Sequence, residues 1–199
     1  MPEPGRPAAK RVWLLGDGQP GHESRSRGLL AQLEALCPLT VTWLRCELRL
    51  GFSRALLRAW LNAGAAPHST RPLHFWYRMD ALPPGTPDLI LSAGGKTSFA
   101  NAWLGAVSGA PNVFAGTLRR LHPALFHTVL TLEPVPGARN NLVMELLPTD
   151  IDRRQVEQQG AALRARQDRP CWLLLAGGDG AGYRWAARDW EALAAVMSR

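Results

Sequence analysis

Lysine is nearly missing from this chain: Lys10 and Lys96 are the only two among 23 lysines and arginines in 199 residues. No dense basic run and no recognisable nucleic-acid-binding motif occurs, so nucleic acid is not an expected partner. Cysteine is scarce too. Cys37, Cys46 and Cys171 are odd in number and lack C-x-x-C spacing. That excludes a disulfide framework and an obvious zinc site, and predicts reduced core residues. Long apolar runs are also absent. The first run ends after four residues at Gly16, too short for the apolar region of a signal peptide. No stretch reaches the length needed to span a bilayer. These absences together predict a cytoplasmic protein.

What is present is ample material for a core. With 46% hydrophobic and 20% charged residues the composition is globular, and the length suits one large domain, or one domain plus part of another. The net charge of +7 and pI near 10.3 are carried almost wholly by arginine. Arginine forks match phosphates and anionic lipid headgroups, and equally solvate a surface.

Three segments repeat one pattern of apolar strand, glycine-rich turn and amphipathic helix. They are RVWLLGDGQPGHESRSRGLLAQLEAL, PDLILSAGGKTSFANAWLGAV and CWLLLAGGDGAGYRWAARDWEALAAVM. The short apolar runs 12–15, 89–91 and 172–176 suit strands buried on both faces. Leu29, Leu30, Leu33 and Leu36 form one helical stripe, Phe99, Trp103 and Val107 a second, and Ala186, Trp190, Leu193 and Met197 a third. Further strands are expected at 39–44, 112–115 and 128–132, with irregular loops at 82–87 and 134–141. The alternation predicts an α/β fold, a Rossmann-like parallel sheet with helices on its faces. Its glycine loops should gather at the carboxyl ends of the strands. The predicted organisation is an N-terminal domain over 1–148, a polar connecting helix over 149–169, and the first strand–loop–helix unit of a second domain over 170–199. That last unit reads as truncated, and the chain alone is expected to show little activity.

The turns are the candidate sites. Gly16, Gly18 and Gly21 satisfy G-x-G-x-x-G between a strand and a helix, where backbone N–H groups can approach a phosphate. A dinucleotide site would also want an acid closing the second strand, and Arg45 followed by Glu47 fits that poorly. His22 and Asp17 flank the turn. An imidazole there can take a proton from an acceptor hydroxyl, and the plain alternative is that His22 or Glu23 caps the helix. Gly94, Gly95, Lys96 and Thr97 are not a Walker A loop, because Ile90 stands where that motif needs glycine. They remain a turn able to meet an anion or a sugar hydroxyl, or simply to cap the helix. Gly177, Gly178, Gly180 and Tyr183 open the third helix and suit a donor diphosphate. In 52–62, Phe52, Leu56, Leu57, Trp60 and Leu61 fall on one half of a helix edged by Arg54, Arg58 and Asn62. Such a face either enters a core or lies in a membrane interface, and 74–78 (HFWYR) would extend the patch.

Together GDGQPGHESRSRGLLAQL, PDLILSAGG, NVFAGTLRRLHP and LLLAGGDGAGY resemble the "elongated mitochondria" (mitochondrial fission) family, over most of residues 11–199. The most specific part is Asp17-Gly18-x-Pro20-Gly21-His22, followed by Gly28-Leu29. Arg25 stands where that family often has Gln, and TLEPVPGARNNLV lacks its Pro-Arg-His-Asp type motif. The resemblance implies GT-B architecture, two Rossmann-like domains facing across a cleft. It also implies transfer of a sugar from a nucleotide-sugar donor to a lipid-linked or cell-surface glycan acceptor. No metal and no cofactor are expected, since helix N-termini and basic groups can stabilise a leaving diphosphate. Two rival readings stay open. One is an NAD(P)- or nucleotide-sugar-binding oxidoreductase or epimerase. The other is a non-catalytic peripheral membrane adaptor on the inner face of the cytoplasmic membrane.

Overall fold

The computed structural model describes residues 8–64, 67–167, 174–176 and 184–197. They divide between two compact units, Met1–Arg153 and Arg154–Arg199. The first unit carries seven strands: β1 (Lys10–Gly16), β2 (Leu39–Leu48), β3 (Tyr77–Met79), β4 (Leu89–Ala93), β5 (Asn112–Ala115), β6 (Thr128–Thr131) and β7 (Asn141–Val143). Its helices are α1 (Pro20–Glu34), α2 (Ser53–Asn62), α3 (Leu73–Trp76) and α4 (Ser98–Ser108). The strands form one sheet in the order β3-β2-β1-β4-β5-β6-β7, parallel throughout except for β3, which runs antiparallel at the edge beside β2. The fold is therefore α/β and Rossmann-like.

The order explains where the helices lie. From β1 the chain crosses through α1 to β2 in one direction, and from β4 it crosses through α4 to β5 in the other. Both crossovers obey the right-handed rule, so the two helices land on opposite faces. Strand β1 shows the consequence residue by residue. Val12 and Leu14 join Leu30 of α1 and Leu91 in the smaller core layer, while Trp13 and Leu15 join the larger layer with Leu57, Leu61, Phe99 and Trp103. All four side chains of Val12–Leu15 are buried, as the unbroken apolar run predicts.

Helix α4 is anchored by polar groups as well as by Trp103. Asn101 Nδ2 donates to Ser92 Oγ and to the Val113 carbonyl, both at 2.9 Å, and Asn112 Nδ2 donates to Asn101 Oδ1 at 2.9 Å. Every partner is a neighbour in the sheet, so this buried network fixes the height of α4 against β4 and β5. At the far end Gly109 closes α4 in the left-handed conformation, φ +67.

The strands expected at 39–44, 112–115 and 128–132 correspond to β2, β5 and β6. Strands β3 and β7 fall in stretches read as an aromatic–basic cluster and as the end of a loop. Each has three residues, too few to show an alternating pattern. The expected membrane face of α2 is divided: Leu57 and Leu61 turn into the core, while Phe52 and Leu56 stay 68% and 56% exposed. Trp60 sits between these extremes, edge-on to Trp103 at 4.5 Å.

The second unit contains α6 (Ala187–Met197), opened by the Asp189 carboxylate accepting the Ala186 N–H at 2.8 Å, and nearly all of α5 (Arg153–Ala165), in the stretch expected to be a polar connecting helix. The strand expected at 172–176 begins outside the described residues, and Leu174–Ala176 have no regular structure. Gly177, Gly178, Gly180, Tyr183 and Cys171 also lie outside the described residues.

Candidate functional site

The two glycine turns of the first unit meet where the sheet reverses direction. Residues 16–22 leave the carboxyl end of β1 and residues 94–97 leave the carboxyl end of its parallel neighbour β4. This edge is where open α/β sheets bind ligands.

Beyond Gly16 the chain turns through Gly18, φ +73, into α1, and Pro20 at the first helical position supplies a preset φ. The turn drives Asp17 inward, to 6% exposure. Its carboxylate accepts the Gln19 N–H at 3.2 Å and lies 3.0 Å through each oxygen from Nδ1 of His22. Burial works to raise the Asp17 pKa, but the His22 hydrogen bond and charge, the Gln19 N–H and the nearby Lys96 together hold it below the usual carboxylate value. An ionised carboxylate only accepts, so Nδ1 carries a proton towards Asp17, and in the neutral ring Nε2 then holds the lone pair.

Gly94 completes this arrangement. Its φ is +92, and a Cβ there would lie 2.2 Å from His22 Nδ1 and 2.5 Å from Cγ and Cε1. The imidazole occupies the space a side chain at 94 would need. Gly95 does the same for Arg119, whose Nε lies 2.9 Å from the position of an added Cβ. The loop is held from below: the Tyr77 hydroxyl donates to the Lys96 carbonyl at 2.6 Å. Thr97, expected either to meet a ligand or to cap the helix, is buried, with its hydroxyl donating to the Gly94 and Ala93 carbonyls at 2.9 and 3.1 Å. Burial raises both the Cys46 thiol and the Tyr77 phenol, which makes these two structural, uncharged neighbours of the site.

The N-terminus of α1 is partly engaged within its own turn. Pro20 has no N–H, those of His22 and Glu23 are bonded to the Gln19 carbonyl, and that of Gln19 to Asp17. Near the end of β2, Glu47 accepts two hydrogen bonds from Arg45, at 2.6 and 2.8 Å. The geometry thus brings Asp17, His22, Gly94 and Gly95 together at one place. Gly16 and Gly18 are left beside a shallow cavity of about 350 Å³ that also touches Trp43 and Asp80.

Sequence reasoning gave Arg25 and Arg119 no role at the site. Arg25 follows His22 by three residues on α1 and so shares its face. Arg119 and Arg120 have φ of +50 and +71, consecutive non-glycine residues in left-handed conformation. Nothing in an Arg-Arg pair signals that. Both Arg25 and Arg119 line a cavity of about 440 Å³ beyond the ends of β5 and β6. Another cavity, about 430 Å³, opens near the start of β5 around Asn112 and His127, away from the dyad. Among the described residues no cluster of three or more His, Cys, Asp or Glu is arranged to hold a metal, and no helix is long and apolar enough to cross a membrane. No family model matches the chain, and neither does any curated protein or solved structure.

Proposed function

We propose that this chain belongs to a glycosyltransferase that moves a sugar from a nucleotide-sugar donor to a lipid-linked or cell-surface glycan acceptor. The observation that carries the reading is the Asp17–His22 pair at the reversal point of the sheet. His22 Nε2 takes the proton of the acceptor hydroxyl as that oxygen attacks the anomeric carbon of the donor sugar, whose bond to the diphosphate oxygen breaks and releases the nucleoside diphosphate. Asp17 fixes the ring and its tautomer and offsets the positive charge that develops on it. The resemblance of the turn sequences to GT-B glycosyltransferases supports this choice of reaction. The internally bonded start of α1 and the Arg45-bound Glu47 favour it over a dinucleotide oxidoreductase.

The test is release of nucleoside diphosphate from a panel of nucleotide-sugars by the protein, with glycan and lipid-linked acceptors. Positioned general bases contribute roughly 10²–10⁴ in rate, so His22→Gln should lose about that much while binding substrates. Unchanged turnover in His22→Gln would remove the histidine from the chemistry.

Exposed Phe52, Leu56 and Phe75 among Arg54, Arg58 and Arg78 support a second proposal, reversible attachment to an anionic membrane. The Arg49 N–H donates to the Trp76 carbonyl at 2.9 Å, which ties the chain leading into α2 to the end of α3. Co-sedimentation with anionic vesicles at low salt should be lost in Phe52→Glu; sedimentation equal to the parent protein would exclude this surface.

A further inference from the structure

The arginines at this edge of the molecule differ in what they touch. Arg27 is bonded to Asp150 at 2.5 Å and lies 3.6 Å from Glu23, and Arg45 is bonded to Glu47. Among the described residues Arg25 and Arg119 have no carboxylate partner, and both line the cavity of about 440 Å³ beyond β5 and β6. Glu133 is the one acidic residue in its lining. The rest of the wall is mainly apolar, with Leu118, Leu130, Val135 and Leu147 prominent. The cavity adjoins the dyad through the backbone: Gly116 lines it, and the Gly94 N–H donates to the Ala115 carbonyl at 3.2 Å. Arg119 reaches that junction from a left-handed backbone, with its side chain laid over Gly95. A conformation of this kind is strained in a non-glycine residue and persists where surrounding structure enforces it.

We propose that this cavity binds the acceptor through a phosphate monoester held by the Arg25 and Arg119 guanidiniums, with an apolar group next to the phosphate lying against Leu118, Leu130 and Val135. The inference rests on the glycosyltransferase reading for the word acceptor, and on the cavity alone for the ligand chemistry. Two guanidinium forks suit a doubly charged phosphate, and the apolar wall distinguishes an alkyl phosphate from phosphate itself. The size falls within the range of small-molecule sites.

The test is calorimetric titration of the full chain with hexyl phosphate below its micellar concentration, beside inorganic phosphate and hexanol. Hexyl phosphate should bind at least tenfold more tightly than either of the others. Arg25→Gln and Arg119→Gln should each weaken it by roughly tenfold or more, as expected for a lost charge-assisted hydrogen bond. Val135→Ser should weaken hexyl phosphate and leave inorganic phosphate unchanged. Inorganic phosphate binding as tightly as hexyl phosphate would reduce the site to an adventitious anion site. Hexyl phosphate binding that survives both arginine substitutions, in variants whose tryptophan emission matches the parent, would overturn the proposal. His22→Gln separates the two readings. Binding retained in that variant, with turnover also retained, sinks the catalytic role alone. Absent binding in the parent sinks the cavity's role alone.

Discussion

Gly94→Ala tests the geometry of the site without knowledge of any substrate. The added methyl group would stand 2.2 Å from His22 Nδ1, well inside contact distance, at a backbone φ of +92. Two costs are separable. Left-handed backbone in a residue with a Cβ costs about 1–2 kcal/mol. Expelling the imidazole removes the hydrogen bond to a buried carboxylate, worth about 1.5–3 kcal/mol for a charged partner. Gly109→Ala provides the comparison. Gly109 has φ +67, and nothing lies within 4 Å of an added Cβ, so only the backbone cost applies. Denaturant unfolding should therefore place Gly94→Ala about 1.5–3 kcal/mol below Gly109→Ala. The imidazole nitrogen spectrum should show His22 fixed with the proton on Nδ1 in the parent and in Gly109→Ala, and mixed tautomers in Gly94→Ala. Equal destabilisation in the two variants, with the His22 tautomer unchanged, would show that the ring does not depend on glycine at 94.

Three further outcomes follow from the same structure. Asp17 has a folded pKa below its reference value of 3.8, so its stabilising contribution is complete above about 3.8 and is lost as pH falls through the lower folded value; Asp17→Asn should flatten that acid limb of the stability–pH curve, and an unchanged limb would refute the assignment. Gly28→Ala should destabilise by about 1–3 kcal/mol or more, because its Cβ would lie 2.5–2.6 Å from the Thr149 backbone, which cannot retreat as a side-chain end can; an unfolding midpoint equal to the parent's would mean that the 148–150 segment is not seated on α1. Tyr77→Phe should cost about 1 kcal/mol through the unsatisfied Lys96 carbonyl and speed amide exchange in 94–97, whereas exchange as slow as the parent's would show that the phenol does not hold the loop.

The sheet was legible because its central strands are continuous apolar runs, and each is followed by glycine and then a helical stripe. Parallel strands buried on both faces leave that signature, and 12–15 and 89–91 carry it plainly. The edges were not legible. Strands β3 and β7 depend on pairing with β2 and β6 rather than on their own three-residue sequences. The reading of α2 placed Leu56 and Leu57 together, but adjacent helical residues point about 100° apart, and only packing decides which one enters the core. At the site, the turn pattern singled out Asp17, His22 and Gly94 as candidates. The reason for glycine at 94 was not legible, since it lies in the His22 ring, which α1 contributes. Gly28 is similar: its neighbour Thr149 is distant in sequence. Thr97 looked like a ligand group because serine and threonine at helix starts serve capping and binding equally, and here the hydroxyl closes its own turn.

The positive end of α1 shows why acid–base chemistry and anion binding should occupy different parts of this edge. A helix N-terminus favours negative charge, and in a nucleotide-binding fold that charge is commonly a phosphate of the ligand. Here the buried charge at that place is the protein's own Asp17, with Pro20 withholding an N–H and Gln19, His22 and Glu23 spending theirs inside the turn. A phosphate brought to the same place would meet the charge of that carboxylate. Among the described residues, basic groups without a carboxylate partner stand instead on the β5–β6 side, where Arg25 and Arg119 line the cavity. Reversing one of these charges should act on binding and leave the dyad intact. Arg119→Glu is therefore expected to abolish hexyl phosphate binding with His22 still fixed as the Nδ1–H tautomer. If the tautomer were lost as well, the two functions would share one electrostatic network, and the division between base and anion site would be wrong.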